Sequence, residues 1–515
     1  MCGIFALFNS SSIKQFLPYF AEMRHRGPDN TKTREITPKI WFGFHRLCIN
    51  GLDRESDQPF FLESCSLVCN GEIYNFRELA EKYGFELQTH SDCEIIIHLY
   101  RKFGIEKCCT LLDGVFAFAL YDNLTETMYV ARDPIGIRSL YIGRYLDGSI
   151  CFASEMKGMI CDRVDDGIIG QFPPGTWSSS ESGFESFNRY YYYKWYPIIG
   201  EEIGIETITK TIKKLLTTAV KKRTMSDRPV CSLLSGGLDS TLVSYLLSKE
   251  YEPYTLHTYS IGLEGSPDLK FAEIAAREFK TIHHSVVVTE EEFLGAIEKT
   301  VRQIESWCIT SVRASVGNYL VSLKIQETSD NVVVFCGDLS DEIFGSYRGF
   351  MKSPDKDAFF EANVKMLEEV HKYDVLRSDK SISGASLEAR VPFADKDLVN
   401  YVMSLDPALK MFGKERMEKW ILRKAFEGDI SDQLLWRSKE AFSDGVSHEN
   451  RSWYKIIEEY VEKMGFGSEE EWYRSIFERF YPGKGESIGK HWKHPFHGEN
   501  EDPSARSLAC YSYEN

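Results

Sequence analysis

Cys2 stands directly behind the initiating methionine in Met1-Cys2-Gly3-Ile4-Phe5. Removal of Met1 would leave one residue carrying both a thiol and a free α-amine. The thiol is strongly nucleophilic once deprotonated, and an α-amine of pKa ~7.7–8.0 is a usable base at neutral pH. Taken alone, a cysteine here reads as a small, buryable residue; its neighbours change that reading. Asn70-Gly71-Glu72 follows the strand-like run Ser66–Cys69, and Asn-Gly is first of all a hairpin-turn signal. Such a turn can also aim an Asn amide and a Gly N–H at one point, forming an oxyanion hole. Arg46 ends the run Ile40–His45 and can clamp a carboxylate. Asp92 opens a helical stretch, where it can serve as the cap.

A second stretch, Ser235-Gly236-Gly237-Leu238-Asp239-Ser240, sits between an apolar run, Val230–Leu234, and a helical segment. Glycines let the backbone approach a phosphate closely, and helix N-terminal N–H groups favour an anion. Asp239 can reach a magnesium ion carried by phosphates. Neither a Walker A motif nor a dinucleotide fingerprint is present. Downstream, Cys336-Gly337-Asp338-Leu339-Ser340-Asp341-Glu342 forms an acidic loop after the run Val332–Phe335. Asp341 is placed to join Asp239 at magnesium, or else simply to cap a helix. His491, His494 and His497 lack a fourth ligand and read as a solvated tail; His283-His284 reads as a packing pair.

The elements that must position these residues fall into two textures. Residues 1–190 carry short alternating runs, among them Val115–Asp122, Met128–Ala131 and Ser149–Ala153, with one amphipathic helix over Asp92–Phe103. This half reads as α+β, an antiparallel sheet sandwich with some helix. Residues 191–206 form a connection, introduced by the aromatic run Tyr190–Tyr193. From 207 to 515 strands alternate with helices: Val230–Leu234 before Asp239–Leu247, and Thr255–Ile261 before Leu269–Phe279. That rhythm predicts an α/β domain built on a parallel sheet. The polar tail beyond about residue 465 reads as partly mobile.

Composition narrows the function. With 61 basic against 77 acidic residues in 515, the net charge is −16, which argues against broad nucleic-acid binding. No apolar run approaches the ~18 residues of a membrane span, and the opening Met1–Phe5 does not read as the basic and apolar pattern of a signal peptide. The 13 cysteines, odd in number and without a CxxC, predict reduced thiols in a cytoplasmic protein.

The stretches Met1–Phe5, Arg24–Pro28, His45-Arg46-Leu47, Asn70-Gly71-Glu72, Ser91-Asp92, Gly114–Asp122 and Arg132-Asp133 resemble the class II, N-terminal nucleophile glutamine amidotransferases. That resemblance implies Cys2 as nucleophile, with Asn70 and the Gly71 N–H as oxyanion hole. It assigns glutamine binding to Arg46, Leu47, Cys48, Ile49, Asn50, Glu72 and Asp92. The Ser235–Ser240 loop resembles the pyrophosphate loop of ATP pyrophosphatases, which split ATP to AMP and pyrophosphate. Both halves in this order resemble the glutamine-hydrolysing asparagine synthetase family. What the resemblance implies is an ATP-dependent amidation of aspartate by glutamine-derived ammonia through β-aspartyl-AMP. ATP and pyrophosphate contacts would come from Leu233, Ser235, Gly237, Asp239, Ser240, Ile261, Arg313, Cys336, Gly337 and Lys439. Mg2+ would be held through phosphates by Asp239 and Asp341, and a homodimer is suggested only by the family. The chain departs from the family's Ser-Gly-Glu-Gly-Ser-Asp-Glu at the acidic loop, where Asp338 stands for Glu and Leu339 for Gly. This leaves two other readings open: amidation of a different carboxylate, or a regulatory protein that binds glutamine or ATP.

Overall fold

Alternation of buried side chains builds the first half. In β1 (Gly3–Phe8), Ile4 and Ala6 face one way while Phe5 and Leu7 face the other, and all four are buried. The computed structural model describes residues 1–160, 168–192, 197–438, 446–447, 451–485 and 492–496. Within them β1 belongs to an antiparallel sheet ordered β10 (Ile168–Gln171), β8 (Tyr141–Arg144), β9 (Ile150–Ala153), β1, β3 (Ile40–Arg46) and β2 (Asn30–Thr37). A second antiparallel sheet is ordered β12 (Asn188–Arg189), β11 (Thr176–Ser179), β7 (Thr127–Arg132), β6 (Gly114–Asp122), β5 (Cys65–Ile73) and β4 (Phe60–Leu62). Ile4, Ala6, Phe42 and Phe44 of the first sheet meet Val68, Ala117 and Ala119 of the second in one apolar layer. The second sheet's outer face, with Leu67, Phe116 and Phe118, is covered by Ile95, Ile96 and Leu99 of the helix Ile95–Phe103. The expected sandwich is therefore present, with helix outside it.

The second half holds a parallel sheet ordered β15 (Ile282–Val288), β14 (His257–Leu263), β13 (Val230–Leu233), β16 (Val333–Phe335) and β17 (Glu388–Arg390). Val333–Phe335 is wholly buried, as a strand covered on both faces requires. The chain moves from β13 outward to β14 and β15, then returns to the other side of β13 for β16 and β17. The order therefore reverses between β13 and β16, and a crevice opens at the carboxyl ends of strands at such a reversal. Ser235–Ser240 and Cys336–Asp341 leave those two strand ends.

In the tail a packed helix appears and one expectation fails. Residues 469–480 form the helix Glu469–Phe480, started by Ser468, whose hydroxyl accepts from the Glu471 N–H at 3.1 Å. Trp472, Tyr473, Ile476 and Phe477 form its buried face, a stripe that the polar composition conceals. His494 is buried rather than solvated, with its ring 4.5 Å from that of Phe350; His491 and His497 lie outside the described residues. His283 and His284 do pack locally, His283 between Thr258 and Ser260 and His284 against Tyr259. No helix among the described residues is long and apolar enough to cross a membrane.

The halves meet through buried charge. Tyr191, in the connection, donates to Asn400 at 3.0 Å. Glu305, fully buried, accepts from the N–H groups of Met156 (2.9 Å) and Lys157 (2.6 Å) and pairs with the Lys380 ammonium. Removing one partner of such a set leaves uncompensated charge, at a cost of about 3–5 kcal/mol. Glu305→Ala should therefore lose about that much stability, read as a lowered urea midpoint, whereas Glu291→Ala on an exposed helix start should leave it unchanged.

Candidate active sites

Asn70, Gly71 and Glu72 do not form a turn. They lie inside β5, opposite Ala117, Phe116 and Val115 of β6. The Asn-Gly signal is overridden because buried residues run through Cys65–Asn70 and pairing with β6 continues beyond them. A Cβ on Gly71 would fall 2.3 Å from the Val115 carbonyl oxygen, so glycine is what lets the two strands close here. Asn70 and Glu72 share the inner face with Val68. Both polar atoms of the Asn70 side chain are buried without a protein partner. An orphan of this kind costs roughly 1–3 kcal/mol, and a bound oxyanion would satisfy its N–H.

Cys2 precedes β1 at the same end of the sandwich. The Leu47 N–H donates to its Sγ at 3.4 Å, and Arg26 Nε donates to its carbonyl at 3.0 Å. Met1 is fully buried; its amine donates to the Leu387 carbonyl at 3.1 Å, and Arg138 reaches its Sδ. Burial pushes the Met1 amine down to about 5 and the Cys2 thiol up to about 12, with Glu388 and Glu72 adding to the latter. With Met1 in place, Cys2 has no amine of its own to act as base.

The glutamine-binding candidates gather unequally. Asn50 Nδ2 donates to Glu72, and Glu72 lies 3.4 Å from Arg390 of the second half; burial raises the Glu72 carboxyl well above its ordinary range. Asp92 is not the helix cap. Ser91 takes that place, accepting from the Cys93 N–H, while Asp92 turns inward and accepts from the Ile73 N–H at 2.6 Å. Burial lifts Asp92 to about 6. Leu47 and Ile49 are buried, and the Cys48 N–H is held by Asp29 at 2.8 Å. Arg46 is committed elsewhere: its two terminal nitrogens donate to Asp57 (2.5 Å) and to the carbonyls of Asp53 and Gly51. The loop 51–57 folds back over the end of β3, so its carbonyls reach this guanidinium before any substrate does.

At the reversal between β13 and β16 a cavity of about 290 Å³ opens. Leu233, Ser235, Gly237, Asp239, Ser240, Arg313, Cys336, Gly337, Asp338 and Asp341 all line it. Ile261 does not; it is buried within β14. Lys439 lies outside the described residues. The Ser235–Ser240 loop is ordered from within: the Ser235 and Ser240 hydroxyls are 3.1 Å apart, and the Gly237 N–H donates to Ser235 Oγ at 3.3 Å. A Cβ on Gly337 would meet the Ser240 nitrogen at 2.8 Å, so this glycine allows the two loops to touch. Leu339 holds φ +76° with its side chain buried. A non-glycine residue there costs about 1 kcal/mol, yet burying a leucine contributes roughly 2–5 kcal/mol, so packing outweighs the strain.

Asp338 does not hang free. Arg377 Nη2 donates to its Oδ1 at 2.8 Å and Ser378 Oγ donates to its Oδ2. Arg377 also pairs with Asp374 at 2.5 Å. Near the loop, Lys419 is buried with its ammonium 2.5 Å from Asp239 and 2.7 Å from Asp341. Sequence reasoning missed Lys419, Arg377 and Asp374, which also line the cavity. Lys419 lies 180 residues from Asp239 in a stretch without any motif. Two carboxylates converging on one cation also suit a divalent metal. Among the described residues no three such ligands gather, so a metal here would draw its remaining oxygens from phosphate or water.

The likeness to known proteins covers both sites. A family model described as a glutamine amidotransferase domain matches residues 1–178, and one described as asparagine synthase matches residues 211–362 and 351–500. The chain is 37% identical to the glutamine-hydrolysing asparagine synthetase of Gallus gallus and 36% identical to that of Homo sapiens, each over 99% of both chains. The chain belongs to this family.

As a glutamine-hydrolysing asparagine synthetase family member it shares the two-part arrangement, an antiparallel domain bearing Cys2 followed by a parallel-sheet domain bearing the cavity. Asp92 offers a pH test of the first. Its raised value means the folded carboxylate takes up a proton as pH falls through about 6, losing the charge that would hold an ammonium group. The slope of log kcat/KM for glutamine hydrolysis should therefore steepen by one unit below about pH 6. In Asp92→Asn the extra slope should vanish, with kcat/KM lower than the parent's above about pH 6 and the difference closing below it.

Proposed function

We propose that this protein makes asparagine from aspartate, consuming ATP and taking ammonia from glutamine, in two chemically separate centres. The observation that carries the reading is the orphaned Asn70 amide at the Cys2 end of the sandwich, in a chain whose second half bears the Asp239–Lys419–Asp341 cluster.

In the first centre removal of Met1 frees the Cys2 α-amine, which takes the thiol proton. The thiolate attacks the side-chain amide carbon of glutamine. Negative charge developing on the amide oxygen is met by Asn70 Nδ2 and the Gly71 N–H. The Cys2 ammonium returns its proton to the adduct's nitrogen, ammonia leaves, and the thioester that remains is cleaved by water to glutamate and the free thiol. Glu72 and Asp92 face the substrate ammonium. With Arg46 engaged by Asp57, Asp53 and Gly51, glutamine's carboxylate must draw Arg46 away from them or use other donors.

In the second centre a carboxylate oxygen of aspartate attacks the α-phosphorus of ATP and pyrophosphate departs. Ser235, Gly237 and Ser240 cradle the leaving group at the helix N-terminus, with Arg313 beside them. The residues fit magnesium: Asp239 and Asp341 would hold it, and it would neutralise phosphate charge. Lys419 then turns its ammonium from the carboxylates to the phosphate. Ammonia attacks the carbonyl carbon of the acyl-adenylate and AMP departs with the acyl–oxygen bond's electrons; Asp338, fixed by Arg377 and Ser378, orients that intermediate or accepts the proton that the attacking nitrogen loses. Ammonia passes inside the protein, because most of it would become ammonium in water. A homodimer in the cytoplasm completes the reading.

One observation favours a second acceptor. Asp338 is a methylene shorter than glutamate and Leu339 fills a position of positive φ, so the acceptor pocket need not fit aspartate. Product analysis with glutamine, ATP, magnesium and aspartate should give asparagine with AMP and pyrophosphate in equal amounts; AMP formed only with another carboxylate would replace the acceptor. Cys2→Ala should abolish synthesis from glutamine while retaining it from added ammonia, and Asp239→Ala should spare glutaminase activity alone. The active protein should have the intact mass of the chain without Met1.

A further inference from the structure

The helix Asp374–Ser383 runs from one site to the other. Near its start Arg377 and Ser378 hold the Asp338 carboxylate. Asp379, about 100° further round the helix, faces the first domain. Its Oδ2 accepts from Arg26 Nη2 at 2.9 Å and from Ser139 Oγ at 2.9 Å, and its Oδ1 lies 3.7 Å from Arg138 Nη1. All three partners belong to the antiparallel domain. Asp379 is 2% exposed, and Arg26 is fully buried.

Arg26 turns that contact toward the nucleophile. Its Nε donates to the Cys2 carbonyl at 3.0 Å, while Nη1 reaches Glu155 at 2.9 Å and Ser383 at 3.2 Å. A guanidinium is a rigid plane. Asp379 and Glu155 together set that plane, and the plane sets the donor on the Cys2 backbone. Adjacent residues of one helix thus engage the acceptor-site carboxylate and, through one arginine, the residue proposed to attack glutamine.

We propose that Asp379 is a positioning residue for Cys2, supplied by the opposite domain, and that the helix Asp374–Ser383 carries the state of the acceptor site around Asp338 to the glutaminase centre. The inference rests on the reading of Cys2 as nucleophile. A rearrangement of Asp338 and Arg377 on substrate binding shifts the helix, and Arg26 follows Asp379. A displacement of the reacting group near 1 Å is worth up to ~10²-fold in rate, so a small shift suffices.

The test measures glutamate release by the full-length enzyme, alone and with aspartate plus magnesium and α,β-methylene-ATP, whose carbon bridge between the α- and β-phosphates prevents transfer of the adenylyl group to the acceptor. The parent's kcat should change at least about threefold on adding these ligands. Asp379→Asn should lower the basal kcat about tenfold, leave the glutamine KM within about twofold, and abolish the response. It should retain ammonia-dependent synthesis, which reports that the second domain is folded. Asp379→Glu, keeping the charge, should recover part of the lost kcat. An unresponsive parent, a parental kcat in Asp379→Asn, or a response that persists in it would each overturn the proposal. Should Asp379→Asn fail to fold, Ser139→Ala removes one neutral hydrogen bond to the same carboxylate; a lower kcat at unchanged KM is expected, and an unchanged kcat overturns the proposal. Cys2→Ala separates the two levels: glutamine hydrolysis surviving in it would sink the Cys2 reading itself, whereas a failed Asp379 test leaves that reading standing.

Discussion

Charge buried between the two domains is the constraint on which the rest depends. Arg26, Arg138, Glu155, Glu305, Lys380, Glu388 and Arg390 are all essentially inaccessible to water. Each would cost several kcal/mol to bury alone, and none is alone. Arg138 faces Glu388 and Asp379, Arg390 faces Glu388 and Glu72, and Arg26 faces Glu155 and Asp379. Such a set tolerates little sliding, because a shift large enough to break one pair leaves a bare charge in a dry place. An apolar interface of similar extent would allow neighbouring packings of nearly equal energy. Here the geometry between Cys2 and the synthetase cavity is specified by electrostatics.

The same contacts explain why β17, a three-residue strand at the edge of the parallel sheet, matters to both domains. Its Glu388 and Arg390 side chains reach the antiparallel domain, while the Arg390 carbonyl accepts from the Cys336 N–H at 3.0 Å at the head of the acidic loop. Sheet pairing therefore fixes the loop bearing Asp338, and side chains from the same strand fix the surroundings of Glu72. The parallel ladder transmits position in one direction and the ion pairs in the other.

Much of this was legible in the chain. Strand runs such as Val115–Asp122 and Val230–Leu234, and the Ser235–Ser240 loop between strand and helix, lie close to where their patterns place them, because apolar periodicity and glycine spacing are local signals. The Asn70-Gly71 turn was misread for the opposite reason: strand pairing with β6 is a long-range contact that overrides a dipeptide preference. The helix Asp374–Ser383 carries Val375 through Ser383 buried although most of these residues are polar, so no apolar stripe announces it. Lys419 was invisible because what places it at the cavity is proximity to residues far away in sequence. Pattern reading finds elements that bury carbon; it passes over elements that bury charge against a partner supplied by the fold.

Lys419 has a consequence for the order of events in the cavity. Two carboxylates facing each other across the mouth of the cavity would repel, drawing in water or spreading the loops that bear them. A tethered ammonium between them keeps the cleft electrically balanced and closed around its working shape before any ligand arrives. A free divalent ion then meets a space whose charge is already cancelled, and it gains little by displacing the lysine. A metal ion arriving on a polyphosphate brings the anion that the lysine can turn to. On the proposed reading the cavity would favour nucleotide and metal together over metal alone, and the discrimination would come from a side chain that changes partners without the backbone having to refold.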